Sequence, residues 1–315
     1  MCGIGGFYNC TGAPTPVDES MALWAGLASR GRMASGFAIV GENGRNEVIK
    51  GPTSSTILSR ELKSEIPKSG IRAMLFHTRF ATQGAIEENG NNHPINEHDI
   101  TMTHNGVLYN DDFVFSDLDV ERVNEVDSEA INAALRYGST KYLADKVRGS
   151  MSIAWYWNVN PGMVYLFTNG GNPLVIARTE GGNIVWASGL DYIEDAGFKV
   201  ASHFHATPFK VYTLNTLGEI TSRFVSKQRA MADKGFTLGE WSRRGLNSSP
   251  KKSRGRPAPR LKVKKPRNRT QMGKKVGPSD VDPVWLAPWV RDGGETSPHQ
   301  WAWKPSEGWV RRDLV

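Results

Sequence analysis

Cysteine is scarce in this chain. Cys2 and Cys10 are the only two among 315 residues, too few for a disulfide framework or a four-thiolate zinc site. A reducing compartment fits that count and leaves Cys2 free for chemistry. Long apolar runs are lacking as well. No stretch approaches the roughly 18 residues that cross a bilayer, so no membrane partner is expected. The segment Met1–Tyr8 has neither a basic leader nor a cleavage-site pattern, which predicts a cytoplasmic protein. No glycine-rich phosphate loop follows a strand-like run, so no nucleotide cofactor is implied. His98, His203 and His205 form no ligand set with the cysteines, and no metal site is expected.

Acidic residues are missing from one part of the chain. Residues 247–279 hold twelve Lys+Arg and no Asp or Glu. The net charge of +7 divides sharply around that run. Residues 1–224 carry 18 Lys+Arg against 24 Asp+Glu, and residues 225–315 carry 21 against 8. An acidic front and a basic back predict two regions with different partners: a domain over 1–224 and a tail over 225–315. The basic run has too little apolar content for a core, which predicts a largely disordered tail. Its end differs again, with Trp285, Trp289, Trp301, Trp303 and Trp309 set among Pro and Gly.

The front half carries the patterns of a folded domain. Short apolar and β-branched runs recur at Ile4–Tyr8, Gly36–Val40, Ile71–His77, Ile100–His104, Met151–Trp157, Met163–Thr168, Leu174–Ala177, Ile184–Ala187 and Phe209–Leu214. Each is bounded by Gly, Asn, Pro or Asp, as strands are. Helical spacing marks Val17–Ala28 and Asp127–Arg136, with a further helix over Leu58–Ile66. Strands arrive in runs rather than alternating with helices. That order favours an α+β architecture in which sheet packs on sheet, flanked by helices.

Position singles out Cys2. Removal of Met1 would free its α-amine, which titrates near ~7.7–8.0 and can accept a thiol proton at neutral pH. Nucleophile and base then belong to one residue. Cys10 has no such amine. Further along stand His77-Thr78-Arg79-Phe80-Ala81-Thr82-Gln83-Gly84, then Asn92-His93-Pro94, His104-Asn105-Gly106 and Asp127-Ser128-Glu129. Gly171-Asn172-Pro173-Leu174 and Ala187-Ser188 follow in turn. In order and approximate spacing these segments, with Met1-Cys2-Gly3-Ile4, resemble the landmarks of class II glutamine amidotransferases, which are N-terminal-nucleophile hydrolases. The resemblance runs over residues 1 to about 220. It implies a four-layer αββα sandwich and release of ammonia from glutamine through a Cys2 thioester.

The residue chemistry suits those roles. Amide cleavage passes through an oxyanion that needs donors already aimed at it. Asn105 offers a side-chain NH2 and Gly106 a backbone N–H, though an Asn-Gly pair is also a common hairpin turn. Arg79 supplies a forked cation for the glutamine carboxylate, and Asp127 a carboxylate for its ammonium. Asp127 also suits a helix N-cap. By the resemblance, Thr82 joins Arg79 and Asp127 in holding substrate. Two departures matter: Arg30-Gly31-Arg32-Met33-Ala34-Ser35-Gly36 lacks the family's aspartate, and Phe80 and Gln83 replace a Trp and a His. Those positions shape the loop over the glutamine site.

The tail is too short and too basic for an ammonia-consuming domain of the usual kind, so either a separate ammonia-accepting enzyme is the partner or the chain is a free-standing amide hydrolase. The compact domain with a basic tail resembles stand-alone members of the family, phage-encoded ones among them, which would place it in a host cytoplasm. Two other readings stand beside it: a γ-glutamyl amide hydrolase on a larger metabolite, and a non-catalytic nucleic-acid-binding protein that retains the fold. Within Lys251–Lys275, Arg254-Gly255-Arg256-Pro257 resembles an AT-hook core, which lays arginine in a narrow A·T minor groove. A Lys/Arg/Pro-rich linker yields the same tetrapeptide by chance. If the run contacts DNA, residues 225–315 alone should bind a duplex in a gel-shift assay. Affinity should then fall by roughly 10³–10⁵ between about 50 and 200 mM salt. Binding that survives deletion of 247–279, or ignores salt, rules the run out as the contact.

Overall fold

The computed structural model describes residues 1–97 and 99–225, with the backbone alone of 301–304 and 308–311. In chain order the strands of the front region begin with β1 (Gly3–Tyr8), β2 (Ala34–Gly41), β3 (Asn46–Gly51), β4 (Ile71–Arg79), β5 (Ile95–Glu97) and β6 (Ile100–Leu108). Next come β7 (Gly149–Trp157), β8 (Val164–Thr168), β9 (Val175–Thr179) and β10 (Ile184–Ala187). The last are β11 (Val200–His205), β12 (Lys210–Leu214) and β13 (Ile220–Phe224). Six helices accompany them: α1 (Val17–Gly26), α2 (Ser55–Leu62), α3 (Asp111–Leu118), α4 (Glu129–Ala133), α5 (Thr140–Lys146) and α6 (Leu190–Asp195). The basic run and its Arg-Gly-Arg-Pro core lie outside the described residues. Near the end of the chain, β14 (Trp301–Lys304) and β15 (Gly308–Arg311) pair antiparallel.

The strands form two antiparallel sheets, ordered β11-β9-β10-β1-β4-β2-β3 and β13-β12-β8-β7-β6-β5. Period-2 alternation decides which side chains fall between them. Tyr8, Ala38, Val40 and Leu75 of the first sheet pack against Ala154, Tyr156, Leu166 and Leu214 of the second. The other face of the first sheet presents Phe7, Phe37, Ile39 and Phe76 to Trp24 and Leu27. Trp24 donates from its indole to the His77 carbonyl at 3.0 Å and meets Phe37 edge-on at 4.9 Å. The outer face of the second sheet buries Met102, Ile153 and Phe167 against Val114, Ile131 and Leu143. The order is therefore helix, sheet, sheet, helix, a four-layer αββα sandwich as expected.

Local chemistry sets the ends of the elements. Ser54 caps α2 by accepting from the Thr56 N–H at 3.4 Å, and Ser139 caps α5 through the Tyr142 N–H at 3.0 Å. Asp18 and Glu19 sit in the first turn of α1, where the helix dipole favours negative charge. The helix expected over 127–136 is α-helical only across Glu129–Ala133 and continues as a π-turn to Gly138. Asp127 does not cap it. The run expected at Ile100–His104 extends to Leu108, which places Asn105 and Gly106 inside β6 opposite Ser152 and Met151, not in a hairpin turn.

A stack of imidazoles joins the two sheets. His77 of β4 turns Nε2 to the His104 carbonyl of β6, 3.0 Å away, and stacks on His93 at 4.1 Å. All three histidines are buried. Burial holds His77 down at about 3, His93 well below its ordinary value, and His104 below its own. A histidine depressed on folding stays neutral in the fold while the unfolded chain takes up a proton below about 6.5. Its contribution is thus lost as pH falls below about 6.5, for His77 down to about 3 at about 1.4 kcal/mol per unit. Glu47, pushed up by burial to about 8, works in the opposite sense over that window. Three rings outweigh one carboxyl, so the urea unfolding midpoint should drop between pH 6.5 and 5, and His77→Gln should flatten the drop. A midpoint constant across that range contradicts the neutral stack.

Candidate active site

Cys2 precedes the first residue of β1, the strand between β10 and β4 in the first sheet. Gly3 lies opposite Thr78 of β4, and a Cβ there would come within 2.7 Å of the threonine hydroxyl. Glycine is what lets the strand start this close to its neighbour. The Arg30 Nε donates to the Cys2 carbonyl at 2.8 Å and pins the backbone there. Met1 is 72% exposed, and a second Arg30 nitrogen, Nη2, lies 3.9 Å from its sulfur. The Phe80 N–H points at the Cys2 sulfur at 3.4 Å. Burial pushes the Cys2 thiol up; the Phe80 N–H, the terminal ammonium and Arg79 pull it down, and Asp127 adds to the rise. The two substrate-end candidates thus act on the same sulfur from either side.

Arg79 closes β4 and is buried. Its guanidinium donates to Asn92 Oδ1 at 2.7 Å and to the carbonyls of Gln83 at 2.5 Å and Gly84 at 2.9 Å. Among the described residues three of its five N–H groups are used, and two have no partner. Asn92 in turn donates to the Ile86 carbonyl at 2.6 Å. Lys50, buried and lowered by that burial to about 8, donates to the Asn92 and Pro94 carbonyls at 2.8 and 3.1 Å. The loop between β4 and β5 is therefore wrapped around the arginine that begins it. Gly31 packs under the same corner, where a Cβ would lie 2.5 Å from the Arg79 carbonyl carbon.

On the facing sheet, Gly106 tolerates no side chain. A Cβ would meet the Ser150 carbonyl oxygen at 1.8 Å. The Asn105 side chain is buried, and its Nδ2 has no hydrogen-bond partner among the described residues. Alternation along β6 turns the N–H groups of Gly106 and Leu108 to one side. The Leu108 N–H meets Asp127 Oδ2 at 2.6 Å, so the Gly106 N–H points to the Asp127 side as well. Ser128 stands 3.2 Å from Asp127 Oδ1 and 2.8 Å from His104 Nδ1, while His104 Nε2 faces the Ser150 carbonyl at 3.3 Å.

Of the residues expected from sequence, Cys2, Arg79 and Asp127 lie within electrostatic reach of one another, with Asn105 and Gly106 on the strand that Asp127 braces. Thr82 stands exposed on the loop after β4 and makes no side-chain hydrogen bond among the described residues. Arg30, Lys50, Asn92 and Ser128 belong to the site's framework without having been singled out individually. Three of them lie within or beside the quoted motifs; Lys50 had no motif to betray it. Among the described residues, no group of three His, Cys, Asp or Glu is placed to hold a metal ion. No helix there is long and apolar enough to cross a membrane.

Comparison with known proteins bears on the domain and its fold. Residues 77–195 match the family model of a glutamine amidotransferase domain. Among solved structures, the fold is similar to glutamine phosphoribosylpyrophosphate amidotransferase from B. subtilis, complexed with ADP and GMP. The TM-score is 0.58 at 18% identity, over 72% of this chain and 50% of that one. It is also similar to a structure described as the allosteric regulatory enzyme of purine biosynthesis, with a TM-score of 0.56 at 18% identity over 72% and 49%. The chain spans about half the length of either. No curated protein sequence matches it. The sandwich, the domain match and the order of the motifs agree: over residues 77–195 this chain matches a glutamine amidotransferase domain, on a fold similar to that of a phosphoribosylpyrophosphate amidotransferase.

Proposed function

We propose that the domain hydrolyses the side-chain amide of glutamine, with Cys2 as nucleophile once Met1 is removed. The observation that carries the reading is the Asn105 amide: buried, unpartnered and on the strand that Asp127 braces. Leaving such a donor unsatisfied costs about 1–3 kcal/mol, a cost that a bound oxyanion would relieve. In this reading the glutamine carboxylate takes the two unused N–H groups of Arg79, and the ammonium meets Asp127. Thr82 closes over the substrate with its loop.

The Cys2 thiol gives its proton to its own α-amine, and the sulfur bonds to the amide carbon. Negative charge moves to the carbonyl oxygen, on Asn105 Nδ2 and the Gly106 N–H. The carbon–nitrogen bond then breaks, and the α-amine returns the proton to departing ammonia. Water attacks the thioester, releasing glutamate and restoring the thiol. Ammonia passes to a separate accepting enzyme. A larger γ-glutamyl amide is the second reading, favoured by the open flank of the site, where Phe80 and Met33 are 51% and 42% exposed.

Cys2→Ala should abolish glutamate release, and protein that retains Met1 should be equally inactive. Asn105→Ala should lower kcat on the order of 10²–10³ with KM little changed. Arg79→Lys and Asp127→Asn should instead raise KM, since they touch the substrate's far end. Steady-state kinetics on protein with a verified amino terminus decides this. An effect of Asn105→Ala on KM alone removes it from the oxyanion site, and a higher kcat/KM on γ-glutamyl peptides than on glutamine moves the substrate to the second reading.

A further inference from the structure

Glu47 presents a problem that the glutaminase site does not solve. It lies on β3, the edge strand of the first sheet, opposite Ile39. It shares its face with Ile49, which packs into the helix-side core. Its side chain is 6% exposed, and Oε2 is buried with no hydrogen-bond partner among the described residues. A carboxylate in that position is costly unless something meets its charge. Burial, opposed by Arg45, holds the carboxyl up at about 8.

The same residue lines a cleft of about 690 Å³, between the β2–β3 hairpin and the chain leading into β4. Ile39, Ile71 and Pro67 line it together with Glu47, and Glu42 and Arg45 belong to its hairpin side. Glu42 is tied to Arg72 at 3.7 Å. The cleft is remote from Cys2. Gly41 at its end pairs with Ile71, eight residues down β4 from Arg79, which is about 26 Å along the strand.

We propose that this cleft binds a small primary organic ammonium ion, its charge on Glu47 and its alkyl body against Ile39, Ile71 and Pro67. The charge argues for a cation. An ammonium beside Glu47 meets the charge of the carboxyl and lets it ionise, turning an uncompensated group into a charge-assisted pair. An anion would meet two carboxyl groups. A neutral hydroxyl could offer one hydrogen bond but no charge, and would leave the acid protonated. The apolar walls reward an alkyl chain over a bare ammonium ion.

Calorimetric titration of the full chain with n-butylammonium at pH 7 tests the site, run in two buffers of different ionisation enthalpy. Saturable one-to-one binding with a proton released to buffer is expected, because Glu47 ionises as the cation enters. Glu47→Gln should weaken binding on the order of ten- to hundredfold and release no proton. Glutamate release from glutamine by that variant should be unchanged. Absence of saturable binding overturns the proposal, as does unchanged affinity in Glu47→Gln. If the variant does not fold, n-butanol on the wild-type chain decides: affinity equal to that of n-butylammonium shows that charge is not recognised and sinks the site.

Discussion

The His77 Nε2 and the His104 carbonyl, 3.0 Å apart, hold the strand that ends in Arg79 against the strand that carries Asn105 and Gly106. Everything in the site depends on that inter-sheet spacing. Cys2 enters from the first sheet and Asn105 and Gly106 from the second, and apolar packing between sheets is not directional enough to fix them within a fraction of an ångström. A hydrogen bond in a buried setting is. It works because the ring is neutral: Nε2 must carry the proton to face a carbonyl, and burial disfavours a second proton on Nδ1. The stacked His93, also kept neutral, fills the gap without adding charge next to Arg79.

A second constraint acts on the loop after β4. The same guanidinium that has two N–H groups to spare is the hub that organises Gln83, Gly84 and Asn92. Lys50 reaches from β3 to hold the Asn92–Pro94 corner from behind. The loop cannot drift without breaking several charge-assisted bonds, each about twice as strong as a neutral one. Rigidity near Arg79 therefore coexists with openness further out, where Phe80, Thr82 and Gln83 remain exposed. The departures from the family pattern at Phe80 and Gln83 fall on the part of the loop that the arginine hub leaves free.

Much of this was legible beforehand, and the failures have physical causes. Strands whose inward positions are all apolar, such as β1 and β10, announce themselves by alternation. β3 does not, because Glu47 and Lys50 occupy buried positions and disguise the period. β13 is missed for the opposite reason: at the sheet edge, three of its five residues are exposed. The Asn105–Gly106 pair reads locally as a turn and becomes strand through its partners Ser152 and Met151, which lie about 45 residues away and exert no local signal. Motif chemistry singled out Cys2, Arg79 and Asp127, which the fold brings within electrostatic reach of one another, whereas Lys50, which holds the loop around Arg79, sits in a gap between motifs. Lys50 and Arg30 act through backbone carbonyls, which any sequence supplies.

Donor bookkeeping around Asp127 shows how finely such a frame is set. His104 is neutral through burial, and its Nε2 faces the Ser150 carbonyl, so Nε2 holds the ring's single proton and Nδ1 is bare. Ser128 has one hydroxyl proton and two neighbours that want it, His104 Nδ1 at 2.8 Å and Asp127 Oδ1 at 3.2 Å. The shorter contact takes it. Asp127 Oδ1 is then left with its lone pairs unspent, while Oδ2 is held by the Leu108 N–H. The carboxylate is fixed in place by one oxygen and left open at the other. A capping aspartate would have spent its acceptors on the helix, and that is why β6, rather than α4, braces the residue.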